Sequence, residues 1–271
     1  MTSQAEKAER FLALHQGPEP LLLPNPWDIG SARLLTWLGF FALATTSGGF
    51  AATLGRLDGH VTRGEALTHA SNIAEATDLP VSADLENCFG DTPAEVAETV
   101  MLAAEAGLAG CSVEDYTRND EDPVYGLPLA AERVAAAAEA AAGPVRLVLT
   151  ARAENYLHGR PDLADTITRL RAYQEAGADV LYAPGLTRLE DIRKLVSAVD
   201  KPVNVLALPG GPTIPELAAA GVRRVSVGSA FAYAAFGALV EAATELREQG
   251  SYGFLARAAT GRAAIREAFA F

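Results

Sequence analysis

The chain has 271 residues, with 22 Lys+Arg against 34 Asp+Glu, a formal net charge of −12 and 49% hydrophobic residues. That balance supplies material for a large core and argues against disorder. It also argues against nucleic-acid binding, which needs basic patches to neutralise phosphates. An anionic small-molecule substrate stays open, because a few placed cations or a metal reverse the field locally. The cysteines Cys88 and Cys111 are too few for a disulfide framework or a zinc cage, and a reduced, cytoplasmic setting fits them. No stretch approaches the ~20 apolar residues of a membrane span, and the first ten residues are polar rather than an apolar leader.

In chain order, a helix is expected over 3–15. Short Val-, Leu- and Ala-rich runs then follow at 21–23, 41–44, 81–83, 110–113, 146–149, 180–182, 203–206 and 224–227. They are near-continuously apolar, as parallel strands buried on both faces are. Helices fall between them. Asp28 precedes one over 29–38. Thr92-Pro93 opens one running to Ala106, with Glu95 completing a capping arrangement. Asp162 opens another to Ala176, and Thr213 with Pro215 opens 216–220. The phrases EAGLAG, EAGADV and AAGVRR each set a glycine between a helix and the next strand, as a β/α repeat requires.

Eight strands alternating with helices predict a single (β/α)8-barrel domain over 1–271, with a doubly wound open sheet as the alternative. No G-x-G-x-x-G follows the first strand, which weakens a dinucleotide-binding reading. The Ala-rich tail over 229–271 exceeds one barrel helix, and an apolar face there predicts a homo-oligomer.

Polar and charged residues cluster just after the strand runs, where a barrel builds its active site. They are Pro24 to Asp28, Thr45-Thr46-Ser47-Gly48-Gly49, Asp84-Leu85-Glu86, Glu114-Asp115, and Arg152 with Glu154 and Asn155; Asn204 lies within the seventh run. Asp84, Glu86 and Glu114 crowded together repel one another unless a cation intervenes. Oxygen-only ligands favour Mg2+ or Mn2+, with Asp84 as the direct ligand. The bland alternative for each acid is a helix cap or a solvated loop charge. Thr46, Ser47 and Gly48 form a small-residue turn able to cradle a carboxylate or a developing enolate oxygen, or an ordinary loop. Arg152 suits a substrate carboxylate; a structural salt bridge with Glu114 or Glu154 is the competing reading.

At these residues the chain resembles the isocitrate lyase/phosphoenolpyruvate mutase superfamily. The strings are PNPWDIGSA, LATTSGG with LGRLDG downstream, VSADLENCFGD, the Glu114-Asp115 pair, LTARAENYL and PVNVL. The resemblance runs from about Leu21 to the C-terminus. It implies that Ser47 and Gly48 hold the substrate's 2-oxo carboxylate. It also implies that Asp84 binds Mg2+ directly, that Asp58, Glu86 and Glu114 hold the ion's waters, that Arg152 takes the substrate carboxylate, and that Asn204 is a polar strand-seven residue. A last barrel helix exchanged between subunits and a dimer or tetramer are further implications. Three departures stand out: Glu86 for an aspartate and Cys88 for a glycine in D-x-D-x-G-[FY]-G, and a segment from Asp115 to Pro123 without the K-K-C-G-H of the lyases or the lysine–asparagine pattern of the phosphonate enzymes. Tyr116, Arg118 and Tyr182 are the alternative proton-handling candidates.

The expected function is Mg2+-dependent cleavage of a C–C bond in a small 2-oxo or 2-hydroxy di- or tricarboxylate through a pyruvate-like enolate, in the manner of methylisocitrate lyase or oxaloacetate decarboxylase. Asp58, Arg152 and Glu114 are the expected catalytic residues. Two alternatives remain: a C–P bond enzyme of the phosphonopyruvate hydrolase or phosphoenolpyruvate mutase type, and a non-catalytic 2-oxo acid binding protein.

Overall fold

A computed structural model describes residues 2–270. Eight parallel strands, β1 (Leu21–Leu23), β2 (Leu43–Ala44), β3 (Val81–Ala83), β4 (Gly110–Glu114), β5 (Val148–Arg152), β6 (Val180–Tyr182), β7 (Val203–Leu206) and β8 (Arg224–Ser226), form one sheet in the order β1-β8-β7-β6-β5-β4-β3-β2. The Ala44 N–H donates to the Pro24 carbonyl at 3.1 Å across the remaining seam between β1 and β2, so the sheet curls into a nearly closed (β/α)8 barrel.

Helices alternate with the strands: α1 (Gln4–Leu14), α2 (Ile29–Trp37), α3 (Ser47–Thr53), α4 (Arg63–Glu75), α5 (Pro93–Glu105), α6 (Leu127–Ala141), α7 (Leu163–Glu175), α8 (Leu189–Ala198), α9 (Ile214–Ala219), α10 (Ala230–Gln249) and α11 (Leu255–Ala268). Reciprocal capping boxes start α1 (Ser3/Glu6), α4 (Thr62/Glu65) and α5 (Thr92/Glu95), each satisfying otherwise orphaned backbone N–H groups. The three junction glycines sit in the left-handed region, with φ of 82° at Gly107, 105° at Gly177 and 85° at Gly221. There the chain leaves a helix and turns into a strand, a conformation that a Cβ disfavours.

Two apolar layers result. The larger lies between the sheet and the helices and takes the outward residues of the strands, such as Cys111 and Val113 of β4 and Leu149 and Ala151 of β5. The smaller fills the lower end of the barrel, where Phe11 of α1 is buried against Leu21, Ala109 and Val148. A β-carbon on Gly110 would lie 2.9 Å from Phe11 Cε1 and 2.6 Å from the Val148 carbonyl, so the plug needs glycine at that point. Burial of the Phe11 ring contributes about 1.5–3 kcal/mol.

The strand boundaries differ from the apolar runs in two informative places. The fifth strand runs Val148–Arg152 rather than 146–149. Its upper inward positions, Thr150 and Arg152, face a polar cavity, so the apolar signal stops before the strand does. The second strand omits Phe41, which is 60% exposed at the barrel's lower rim. The small-residue segment after β2 is a correction too. Thr46 caps α3, and Ser47 to Thr53 are helical rather than a loop. The tail divides into α10 and α11, each with one buried residue, Ala232 and Ala268; Leu239, Val240 and Tyr252 are more than 60% exposed. Among the described residues no helix is long and apolar enough to cross a membrane.

Candidate active site

The C-terminal ends of the strands surround a cavity of about 200 Å3, lined by Ser47, Asp58, Asp84, Arg152, Tyr182 and Asn204 among others. A second hollow of about 540 Å3 opens above it and shares Ser47, Asp58 and Arg152 while adding Glu86, Glu114, Tyr116, Arg118 and His158. A larger hollow of about 810 Å3 lies on the outer surface between α5 and α6, but its lining is mostly apolar, with Glu105 and Glu139 its ionisable side chains. Convergent polar groups, not size, mark a reactive site, and these are at the barrel mouth.

Arg152, the last residue of β5, organises the mouth. Its Nη1 donates to Asp84 Oδ1 at 2.9 Å, its Nη2 lies 3.1 Å from Glu114 Oε2, and its Nε donates to Glu154 Oε1 at 2.7 Å. The guanidinium thus holds three carboxylates from three strand ends and lies 5.2 Å above the Tyr182 ring. Both salt bridges considered from the sequence, to Glu114 and to Glu154, are present, and Asp84 joins them. Asp84 Oδ2 accepts the Ser47 N–H at 3.2 Å, and the Asp84 N–H donates to Thr45 Oγ1 at 2.9 Å, which ties β2 and β3 together above the cavity.

Ser47 and Gly48 lie beside Asp58. A β-carbon on Gly48 would meet Ser229 Oγ at 2.8 Å, Asp58 Oδ2 at 3.0 Å and Tyr233 Oη at 3.0 Å, so any side chain here would have to push these polar groups aside. Thr46 Oγ1 accepts the Gly49 N–H at 3.3 Å and lies 2.8 Å from Ser229 Oγ, so its hydroxyl caps α3 and is turned toward the chain after β8. Asn204 is buried at the cavity's base, where its Nδ2 donates to Ser226 Oγ at 2.9 Å.

The loop after β3 is held in an uncommon backbone shape. Glu86, Cys88 and Phe89 have φ of 51°, 60° and 57°, values that glycine tolerates and other residues resist. That conformation explains why a glycine suits the place of Cys88. Arg133 of α6 secures the loop by donating to the carbonyls of Asn87 (2.7 Å), Gly90 (2.6 Å) and Asp91 (2.6 Å). Cys88 is fully buried and burial pushes its thiol well above the ordinary range, as it does at Cys111 to about 12. Neither is a reactive thiolate.

The segment after β4 crosses the mouth. Tyr116 stacks on His158 with ring centroids 3.7 Å apart and 9° between planes. Arg118, at φ 62°, reaches Glu86 Oε2 at 2.6 Å. Asp115 turns away: it accepts from Arg169 Nη1 (3.0 Å), the Glu154 N–H (2.8 Å) and Tyr173, and so buttresses β4, β5 and α7.

The electrostatics are strongly negative. Asp58, Asp84, Glu86, Glu114 and Glu154 face Arg118 and Arg152, so five acids against two guanidiniums leave three uncompensated charges when all are ionised. The acids register the strain. Partial desolvation of its carboxyl, aided by the charge of Asp84, raises Asp58, although the residue as a whole is exposed. Glu86 is pushed up to about 7 by burial, against the opposing pull of Arg118. Glu114 rises well above the carboxylate range by burial, with Arg152 opposing. A hard dication between them would relieve this repulsion. The described residues contain no tight group of three or more metal-ligating side chains. Asp84, Glu86 and Glu114 offer oxygen donors only, the type that suits a hard dication.

A parallel barrel with acids and two arginines gathered at its mouth has the layout of a barrel enzyme. The comparisons specify it: the chain belongs to the isocitrate lyase/phosphoenolpyruvate mutase superfamily, its residues 11–247 matching the model of the phosphoenolpyruvate phosphomutase family. A crystal structure of a Burkholderia cenocepacia J2315 protein, given a provisional lyase/mutase description, is 53% identical, with a TM-score of 0.95 over 99% of this chain and 98% of that one. The 2-methylisocitrate lyase of Escherichia coli K12 is 30% identical over 71% of this chain and 67% of its own length. The oxaloacetate decarboxylase of Chromohalobacter salexigens is 29% identical over 91% of this chain and 87% of its own.

Glu154, read from the sequence as one possible salt-bridge partner of Arg152, is a full member of its network. Sequence reasoning missed Arg133 as the clamp on the β3 loop and His158 as the partner of Tyr116, pairings across sequence separations that no local pattern links.

Proposed function

We propose that this chain is a divalent-cation-dependent lyase that breaks a C–C bond next to the α-carbon of a small 2-oxo or 2-hydroxy di- or tricarboxylate. The coarse part, bond cleavage in small oxo or hydroxy carboxylates, is supported by the family and by the relatives' activities. One observation carries the finer part: Arg152 sits among three acids at the base of a mouth whose carboxylates outnumber its cations.

Asp84 would hold Mg2+ directly, with Asp58, Glu86 and Glu114 holding its waters; Mn2+ suits the same oxygen donors. When bound, the ion supplies Lewis acidity and neutralising charge. The chain's own groups do the rest. Arg152 exchanges part of its carboxylate contacts for the substrate carboxylate and orients it. The Ser47 N–H would leave Asp84 Oδ2 and turn, with the Gly48 N–H, to the oxygen on which charge develops, while the missing Cβ of Gly48 lets Asp58 and Ser229 close against this turn. Thr46 fixes that backbone through its cap. Tyr116, stacked on His158, and Arg118, anchored on Glu86, cover the mouth and limit water; in this segment they stand where the lyase K-K-C-G-H would be. Asn204 shapes the cavity base. The exposed apolar residues of α10 and α11 support a homo-oligomer in which the tail, including an exchanged helix, covers a neighbour.

The test is release of pyruvate, glyoxylate or phosphate from a panel of oxaloacetate, methylisocitrate, isocitrate and phosphonopyruvate with added Mg2+. Pyruvate or glyoxylate from a C–C substrate, abolished by chelator, is the expected result. Phosphate from phosphonopyruvate with no C–C cleavage would select the C–P reading, which the family model favours and the absence of lysine from 115–123 opposes.

A further inference from the structure

Three buried arginines frame the problem: Arg133, Arg169 and Arg224 are each less than 8% exposed. Two have evident compensation. Arg169 pairs with Asp115 and Asp165. Arg133 is met by three backbone carbonyls and lies 4.2 Å over the Tyr125 ring. Arg224, at the start of β8, differs. It points into the barrel and lines the base of the reactive cavity, yet among the described residues no carboxylate forms an ion pair with it.

Its neighbours are neutral. Nε donates to Asn204 Oδ1 at 3.0 Å and Nη1 to Thr150 Oγ1 at 3.0 Å, with His15 Nε2 3.5 Å from Nη1. His15 Nδ1 lies 2.8 Å from the Phe11 carbonyl, which requires the proton on Nδ1 and leaves Nε2 as an acceptor toward Arg224. Among the described residues Nη2 has no hydrogen-bond partner. A guanidinium removed from water without a counter-charge is costly; burial, with a smaller push from the charge of Arg152, pulls Arg224 down to about 10. The surrounding cavity wall is made of Ser82, Ser112, Thr150, Asn204 and Ser226. These small polar groups can hydrogen-bond an anion and bring no competing charge.

We propose that Arg224 is an anion-binding residue at the cavity floor that takes a second carboxylate of the substrate, so that the site selects dicarboxylates over monocarboxylates. The cavity is polarised along its length, with acids and their cation at the mouth and a lone guanidinium at the floor. A ligand with a 2-oxo acid head and an anionic far end matches that polarity. This rests on the 2-oxo acid reading of the mouth and adds the residue that reads the other end of the molecule.

The experiment compares 2-oxovalerate with 2-oxoglutarate, which differ in a methyl against a carboxylate at the far end. Binding is measured by calorimetry with saturating Mg2+ for the wild type, Arg224→Gln and Arg224→Lys. The wild type should prefer the dicarboxylate at least about tenfold, as a hydrogen bond to a charged group implies. Arg224→Gln should bring the two within about twofold, and Arg224→Lys should retain part of the preference as a point charge. Equal wild-type affinities overturn the floor site and leave the mouth intact, a result that needs no folded variant. A preference preserved in folded Arg224→Gln overturns it as well. Failure of the wild type to bind either acid defeats the reading of the mouth, and the floor site with it.

Discussion

Replacing Arg152 by methionine removes the one cation that touches Asp84, Glu114 and Glu154 while keeping much of the side-chain bulk. The Arg152 side chain is 14% exposed and those of Glu114 and Glu154 are 8% and 2% exposed, so solvent screens the network poorly. Breaking such a buried arrangement from one side costs about 3–5 kcal/mol. For a chain near this size each kcal/mol moves Tm by roughly 2–4 °C, so Tm should fall by about 6–20 °C at pH 8 in chelator. The pH trend has a definite sign. Burial already holds Glu114 above its ordinary range with Arg152 present, and removing Arg152 raises it further. A carboxyl with a raised folded pKa takes up its proton more readily folded than unfolded, so the cost is largest above the folded value and shrinks as pH falls toward the unfolded one. Melting curves of both proteins from pH 8 to pH 5 should therefore converge. A Tm within about 2 °C of wild type at pH 8, or a gap that widens in acid, would refute the view of Arg152 as the electrostatic hub.

Gly48→Ala should lower turnover at least tenfold, because its Cβ must displace Asp58, Ser229 or Tyr233, each within 3.0 Å of the position it would take. Tm should change far less than turnover, and wild-type kinetics in the alanine variant would contradict the close-approach reading. His15 is held neutral by burial and by the nearby Arg224, with its pKa lowered to about 3. The unfolded chain therefore binds this proton more readily between the ordinary histidine value of 6.5 and about 3. His15's contribution is complete above the unfolded value and is lost as pH falls through that window, about 2 kcal/mol by pH 5. In denaturant melts His15→Gln should flatten this part of the stability–pH curve; an unchanged slope would show that His15 titrates freely.

The barrel was legible because its signals are local. Apolar runs such as Val81–Ala83 and Val180–Tyr182 coincide with strands, and Gly107, Gly177 and Gly221 mark the helix–strand junctions by the φ values they must adopt. The expected site residues Asp84, Glu86, Glu114 and Arg152 come together because strand ends converge in any closed parallel barrel, and Asp58 reaches them from the loop after α3. What stayed hidden was long-range or contrary to periodicity. The polar upper half of β5 ended the apolar signal early, and the seven-residue α3 was too short and glycine-rich to show a helical pattern. The Arg224–Asn204–Thr150 floor joins three strands across 74 residues of sequence, which no local rule connects.

The cation claim is tested most directly by titrating Mg2+ into chelator-treated wild type and Asp84→Asn, with calorimetry and melting curves on the same samples. The wild type should bind and, at about a hundredfold excess over Kd, gain roughly 2.7 kcal/mol, which is about 5–10 °C in Tm. Asp84→Asn should fold and show neither heat nor shift. Absence of Mg2+ binding by the wild type, or binding by Asp84→Asn equal to it, would contradict the account.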